Sequence, residues 1–135
     1  MKIRRRALET IYNDAKRCYP RECCGILLAQ KEDISIISDV LRAKNAEKEH
    51  PRSKFILGYK AHLTAVELEC LSDMLIVGYY HSHPNGCAQP SVLDVKQAFN
   101  DVKYLIIGIN DGKIERGLWH LEGNKFIEEP LKVSQ

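Results

Sequence analysis

Residues 81–94 read His81-Ser-His-Pro-Asn-Gly-Cys-Ala-Gln-Pro-Ser-Val-Leu-Asp94 and join a predicted strand to a predicted helix. The strand is indicated by the apolar residues 74–80, and the helix by residues 91–99. Side chains at positions i and i+2 of a strand point to the same face, about 6.5 Å apart along the backbone. The imidazoles of His81 and His83 can therefore converge on one ion.

Asp94 follows one turn into the predicted helix, and its carboxylate is a suitable third ligand for zinc. Three protein ligands leave one coordination position open, which is typical of a catalytic site rather than a structural one. At such a site the pKa of bound water falls to about 7, so the water becomes a nucleophile at neutral pH. The spacing therefore predicts a zinc centre that catalyses hydrolysis.

Ser91 and Asp94 also admit a simpler interpretation. Residues three apart share a helix face, and a Ser-x-x-Asp helix start resembles a capping box. For these two residues alone the cap is the better hypothesis, because caps are far commoner than metal sites. The cap does not explain His81 and His83. The other histidines of the chain have no such candidate ligands near them in the sequence, so we expect structural or solvated roles for them.

The rest of the chain predicts a mixture of helices and strands. Helical periodicity marks residues 4–18 and 61–71. Strand-like segments cover residues 24–29, 34–41, 55–58, 104–109, 114–121 and 125–133, with a loop at residues 42–54. Two or three helices around a central sheet with several antiparallel neighbours place the chain in the α+β class.

Composition narrows the class of protein. The 135 residues suit one domain, residues 1–135, and 44% hydrophobic and 28% charged residues are typical of globular proteins. Lys and Arg number 20 against 18 Asp and Glu, and this net charge of +2 favours neither nucleic acid nor a membrane surface as partner. No apolar run is long enough to span a bilayer. We therefore expect a cytoplasmic protein.

The five cysteines are an odd number, form no Cys-x-x-Cys pair and follow no secretory signal, which predicts reduced thiols. Cys23 and Cys24 adjoin an apolar run and are predicted to be small core residues. Cys87 lies between the candidate ligands. Its thiol is either an idle loop group or a thiolate that approaches the metal or undergoes oxidation.

These residues resemble the motif of the JAMM family, the metalloprotease members of the MPN domain. That motif is an upstream glutamate, then His-x-His-Pro, six residues, Ser, two residues and Asp. Residues 81–94 match it at every fixed position, and Pro20-Arg-Glu-Cys-Cys-Gly-Ile-Leu-Leu is similar to the glutamate-bearing strand start. The resemblance implies the MPN fold, a mixed and largely antiparallel sheet of cytidine-deaminase-like architecture, in its compact prokaryotic form.

The resemblance also implies a role for each matched residue. His81, His83 and Asp94 correspond to the ligands of one zinc ion per chain, Glu22 to the general base and Ser91 to the residue that stabilises the oxyanion. By itself the position of Glu22 indicates only a solvated charge at a strand start. Its catalytic role rests on the resemblance.

The implied activity is that of a zinc-dependent peptidase or isopeptidase acting after the C-terminal diglycine of a ubiquitin-like protein. The short chain resembles members that serve sulfur-carrier pathways, although nothing in it names the carrier or an oligomeric state. An extended tail could add to a sheet edge, which we predict at residues 53–57.

Three alternatives differ in class. A non-catalytic MPN scaffold would be expected to lose ligands, a zinc deaminase needs a Pro-Cys-x-x-Cys pair that is absent, and near-neutral charge gives no support to a role in DNA repair.

Overall fold

The computed structural model describes residues 1–135, which form nine strands and three helices. In chain order these are β1 (Lys2–Arg4), α1 (Arg5–Cys18), β2 (Cys24–Gln30), β3 (Ile36–Ile37), β4 (Asp39–Ala43), α2 (Tyr59–Leu71), β5 (Met74–Pro84), α3 (Val92–Gln97), β6 (Lys103–Asn110), β7 (Lys113–Glu122), β8 (Lys125–Glu129) and β9 (Lys132–Ser134). None of the three helices combines the length and apolar character that crossing a bilayer requires.

The main sheet has six strands in the order β4-β2-β5-β6-β7-β8. Only β5 and β6 run parallel, and the intervening α3 belongs to the crossover between them; the other four neighbouring pairs are antiparallel. A smaller parallel sheet, β3-β1-β9, joins the two ends of the chain. The predicted α+β class with a mixed, largely antiparallel sheet is confirmed.

The core lies between α1 and the main sheet, because the periodicity of α1 puts its apolar residues on one face. Its centre is the fully buried side chain of Tyr80 on β5. The Tyr80 hydroxyl donates a 2.8 Å hydrogen bond to Asp14 Oδ2 on α1. A Cβ at Gly25 would overlap the Tyr80 ring, so the ring can lie flat against β2 only beside a glycine. Side chains alternate along β5, and His81 therefore points to the opposite face from Tyr80.

Several predicted strands differ from those observed. The segment 34–41 is two strands, β3 and β4, which belong to different sheets because the chain crosses between sheets at Ser38. The segment 125–133 is divided at Pro130, which has no N–H to donate to a ladder. Strand β5 extends beyond its predicted end at residue 80 to Pro84 and includes both histidines.

The predictions for residues 55–58 and 53–57 were wrong. This segment forms no strand, and its single ladder contact is an isolated bridge between Leu57 and Asn45. Its backbone pairs instead with the side chain of Asn45, which donates to Lys54 O and accepts from Ile56 N. A neighbouring strand would otherwise have made such hydrogen bonds. The free edge of the main sheet on this side is β4.

All five cysteines are unpaired. Cys23 and Cys24 are buried at the start of β2, as predicted for small core residues. Burial raises the pKa of the Cys24 thiol to about 12, which keeps it protonated and unreactive at neutral pH.

Candidate metal centre

Three side-chain atoms meet where β5 ends and α3 begins. His81 Nε2 lies 3.1 Å from His83 Nε2, and Asp94 Oδ2 lies 3.2 Å from His81 Nε2 and 3.1 Å from His83 Nε2. No other His, Cys, Asp or Glu joins this group of potential ligands. The structure therefore brings together the three residues that the spacing predicted as metal ligands.

Asp94 is aimed at the histidines by the capping box of α3. Ser91 is the N-cap: its Oγ accepts a hydrogen bond from Asp94 N at 3.1 Å, and Asp94 Oδ2 accepts one from Ser91 N at 2.8 Å. The capping interpretation is thus confirmed, and it is compatible with the metal interpretation, because the cap holds Oδ2 at the cluster. The two hypotheses describe the same carboxylate oxygen.

The tautomer of His83 follows from its other nitrogen. His83 Nδ1 lies 2.9 Å from the backbone oxygen of Cys87, and a carbonyl oxygen can only accept, so Nδ1 must carry the proton. A neutral His83 then presents the Nε2 lone pair to the carboxylate oxygen of Asp94 and to His81 Nε2. Acceptors so close together need a hydrogen or a metal ion between them. A proton on His81 Nε2 can serve, because no partner of His81 Nδ1 fixes the tautomer, and a metal ion can take its place.

The dimensions of the cluster fit a metal ion. A tetrahedral zinc with bonds of 2.0–2.1 Å spaces its ligands about 3.3 Å apart, and the three observed separations are close to that value. Burial alone would raise the pKa of Asp94, but hydrogen bonds with His81 and His83 outweigh it and hold the pKa well below its usual range. Asp94 is therefore ionised and ready to bind a cation.

His81 is buried, and the ring of Phe55 stacks on it at a centroid distance of 4.7 Å. Burial lowers the pKa of His81, although Asp94 opposes the shift, so the imidazole is neutral, which is the form that binds metals. His81 Nδ1 is buried without a hydrogen-bond partner. An unpaired buried nitrogen costs about 1–3 kcal/mol, a cost that metal binding through Nε2 would offset.

Glu22 is 5% exposed, which differs from the solvated charge that its position alone indicates. The antiparallel register pairs Cys24 with His81, and Cys23 N donates to Ser82 Oγ at 2.8 Å, which continues the pairing toward Glu22. Burial raises the pKa of Glu22 to about 7; the charge of His83 lowers it and that of Asp94 raises it further. A carboxylate with a pKa near neutrality can both accept and return a proton at physiological pH.

Replacing Glu22 by Gln is expected to stabilise the metal-free protein at pH 8 and to leave its stability unchanged at pH 4. The folded-state pKa of about 7 exceeds the ordinary 4.5, so between these values the folded chain binds more protons than the unfolded chain. Wild-type stability therefore falls as pH rises through that window, by on the order of 2 kcal/mol, whereas the variant has no group to ionise. Scanning calorimetry with chelator should show a melting temperature about 5 °C higher for the variant at pH 8. Equal melting temperatures there would contradict a buried Glu22 carboxylate.

Asn45 organises the segment that covers the cluster, a role the sequence analysis missed. Its Nδ2 donates to the backbone oxygens of Glu22 at 3.1 Å and Lys54 at 3.0 Å, and its Oδ1 accepts from the backbone N–H groups of Glu47 and Ile56. Asparagine in a polar loop is too common to signal this arrangement. One amide side chain thus connects Glu22 to the segment that carries Phe55.

Asn45→Ala is expected to loosen this segment without unfolding the protein. The substitution leaves several backbone groups without partners, at a cost of about 2 kcal/mol. Amide exchange at Ile56 and Glu47 should accelerate at least about tenfold, while amides of β6 keep their protection. Asn124→Ala, in the exposed turn between β7 and β8, is the matched control. Exchange equal to that of wild type at Ile56 would show that Asn45 does not hold the segment.

The loop from Asn85 to Pro90 is anchored on the sheet near Ala88. Ala88 N donates to Glu115 Oε1 at 2.8 Å, and Trp119 Nε1 donates to Ala88 O at 3.1 Å. A Cβ at Gly108 would come within 2.7 Å of this loop's backbone, so glycine permits the close approach. These contacts position the Cys87 carbonyl that orients His83, whereas the exposed Cys87 thiol lies outside the ligand group.

Comparison with known proteins identifies the family to which this chain is similar. A family model described as prokaryotic homologs of the JAB domain matches residues 4–121. Among curated proteins, the tail tip assembly protein K of Escherichia phage N15 is 33% identical over 96 residues, which are 70% of this chain and 35% of the phage protein. The chain therefore spans about a third of the length of that relative.

Solved structures agree in fold. The solution structure of a protein from Desulfitobacterium hafniense has a TM-score of 0.85 and 24% identity, and covers 100% of this chain and 94% of its own. A crystal structure of a JAB1/MPN domain protein from Archaeoglobus fulgidus has a TM-score of 0.65 and 21% identity, and covers 100% of both chains. At these identities the likeness shows the fold alone.

Proposed function

The chain belongs to the prokaryotic JAB family, the compact form of the JAMM/MPN proteins, and from that premise we propose that it is a zinc-dependent peptidase. The observation that carries the proposal is the convergence of His81, His83 and Asp94 beside a buried Glu22 whose pKa is raised to about 7. Three neutral or anionic ligands with a nearby proton acceptor are what metal-assisted hydrolysis requires. A scaffold would need neither.

When bound, zinc would supply Lewis-acid chemistry at the three ligands, including a lowered pKa for a coordinated water. Glu22 would accept a proton from the attacking water and return it to the leaving amine. The Ser91 hydroxyl would stabilise the developing negative oxygen, because its oxygen already accepts from Asp94 N and its O–H is left to donate. The hydrogen bond from His83 Nδ1 to the Cys87 carbonyl keeps the Nε2 lone pair of His83 directed at the cluster.

The proposed substrate is the C-terminal tail of a ubiquitin-like sulfur-carrier protein, cleaved after its diglycine. The family membership and the exposed Ser91, the N-cap that holds Asp94, support a polypeptide that approaches from solvent. We further propose that residues 1–135 act as a single catalytic domain in the cytoplasm, which the five unpaired cysteines support.

Mass spectrometry of substrate cleavage tests this function. Protein stripped of metal and reloaded with one equivalent of zinc is incubated with ubiquitin-like proteins that extend beyond diglycine. We expect cleavage after the second glycine, loss of cleavage with chelator and recovery when zinc is added back. One bound zinc without cleavage of any such protein would instead favour a non-catalytic scaffold.

A further inference from the structure

A groove lined by basic side chains begins at Glu22. A cavity of about 850 Å³ between α1 and β4 is lined by Glu22 and four cations, Arg17, Arg21, Arg42 and Lys44. A second cavity of about 560 Å³ shares Arg42, Lys44 and Asn45 with the first and adds Lys48 and Lys60. Because the two cavities meet at the end of β4, they form one continuous surface, which we call the cationic groove.

Most of these cations have no partner. Arg17 pairs with Asp14 at 2.8 Å, but no carboxylate lies within ion-pair distance of Arg21, Arg42, Lys44, Lys48 or Lys60. Glu22 is the only carboxylate that lines either cavity. The chain as a whole is nearly balanced, with 20 basic and 18 acidic residues, so composition does not explain the groove. Clefts lined by one sign of charge concentrate ligands of the opposite sign.

The position of the groove indicates which anion it binds. One end is Glu22, the proton acceptor of the proposed peptidase, so a ligand in the groove lies next to the scissile bond. The only aromatic residue in the lining is Tyr59, whereas single-stranded nucleic acid sites use several aromatic rings for stacking. The surroundings therefore favour a carboxylate-bearing polypeptide over a nucleic acid.

We propose that the cationic groove binds an acidic polypeptide segment that flanks the scissile bond, and so selects substrates with Asp or Glu close to the cleavage site. This inference rests on the proposed peptidase function. Arg42 and Lys44 line both cavities and are its central contacts. Both side chains are exposed, so charge reversal there tests recognition without disturbing the core.

Binding can be measured separately from catalysis with the Glu22→Gln protein loaded with zinc. The probes are fluorescent dodecapeptides with a central diglycine, carrying three Glu or three Ser on one side or the other. We expect a Glu peptide of at least one series to bind about tenfold more tightly than its Ser counterpart, with affinity that falls as salt increases. Adding Arg42→Glu or Lys44→Glu should abolish the preference. Lys113→Glu, at the exposed start of β7 and outside the lining of both cavities, should preserve it.

The inference is overturned if Glu and Ser peptides bind alike in both series, or if the groove and Lys113 variants behave alike. It is also overturned if a single-stranded oligonucleotide binds more tightly than every Glu peptide at the same salt concentration. Preferential binding of Glu peptides with no hydrolysis by the wild-type enzyme would sink the peptidase proposal and leave the groove standing. If the wild-type enzyme hydrolyses the peptides, but kcat/KM changes neither with the Glu residues nor with Arg42→Glu, the groove proposal fails and the peptidase proposal stands.

Discussion

Glu22→Gln is expected to lower kcat for peptide hydrolysis by about 10³-fold while one equivalent of zinc stays bound. The glutamine matches the glutamate in shape but cannot take up a proton at neutral pH, so the step that activates water loses its base. Glu22 is absent from the group of potential ligands, and metal affinity should therefore change little. The result is measured as single-turnover rates together with the zinc content of the dialysed protein.

Glu32→Gln provides the control for this substitution, because Glu32 is an exposed residue in the turn after β2. It makes the same chemical change away from the site and should leave kcat unchanged. If Glu22→Gln retained more than about a tenth of the wild-type kcat, Glu22 could not be the general base. Loss of zinc from the variant would mean that Glu22 acts on the metal instead.

Asp94→Asn is expected to weaken zinc binding by at least about 100-fold and to remove activity at stoichiometric zinc. The amide oxygen can still accept from Ser91 N, so α3 should keep its cap and its position. What disappears is the negative charge that His81 and His83 share. Excess zinc should restore part of the activity, which separates this variant from Glu22→Gln.

Competition with a chromogenic chelator gives the zinc affinity directly. Asp101→Asn is the matched control: Asp101 is exposed, and its positive φ of 67° is a conformation that asparagine tolerates well. Zinc affinity that remains at the wild-type level in Asp94→Asn would show that Asp94 is only a helix cap.

The predictable part of the site depends on short-range geometry. His81 and His83 share a face because they are two apart on a strand, and Asp94 faces them because Ser91 begins a helix three residues earlier. These relations hold within fourteen residues of chain. The same is true of the apolar face of α1 and of the antiparallel hairpin between β6 and β7.

Long-range contacts account for the parts of the site that no local pattern of residues indicates. Glu22 is brought to the cluster by pairing between β2 and β5, in which Cys23 N and Ser82 Oγ are 59 residues apart. Asn45 connects to Glu22 across 23 residues, and Phe55 stacks on His81. No local pattern distinguishes these residues from ordinary loop residues, since each gains its partner only when separate elements assemble.

The α+β class and the metal-binding motif follow from the order of residues, because periodicity and capping act between residues close together in the chain. Only the folded chain buries Glu22 and raises its pKa, and only there does Asn45 hold the segment that covers the cluster. Folding also gathers unpaired cations from the segment after α1, from β4, from the following loop and from α2 into one groove. Burial and electric field depend on which distant elements meet, and a linear pattern of residues does not specify that.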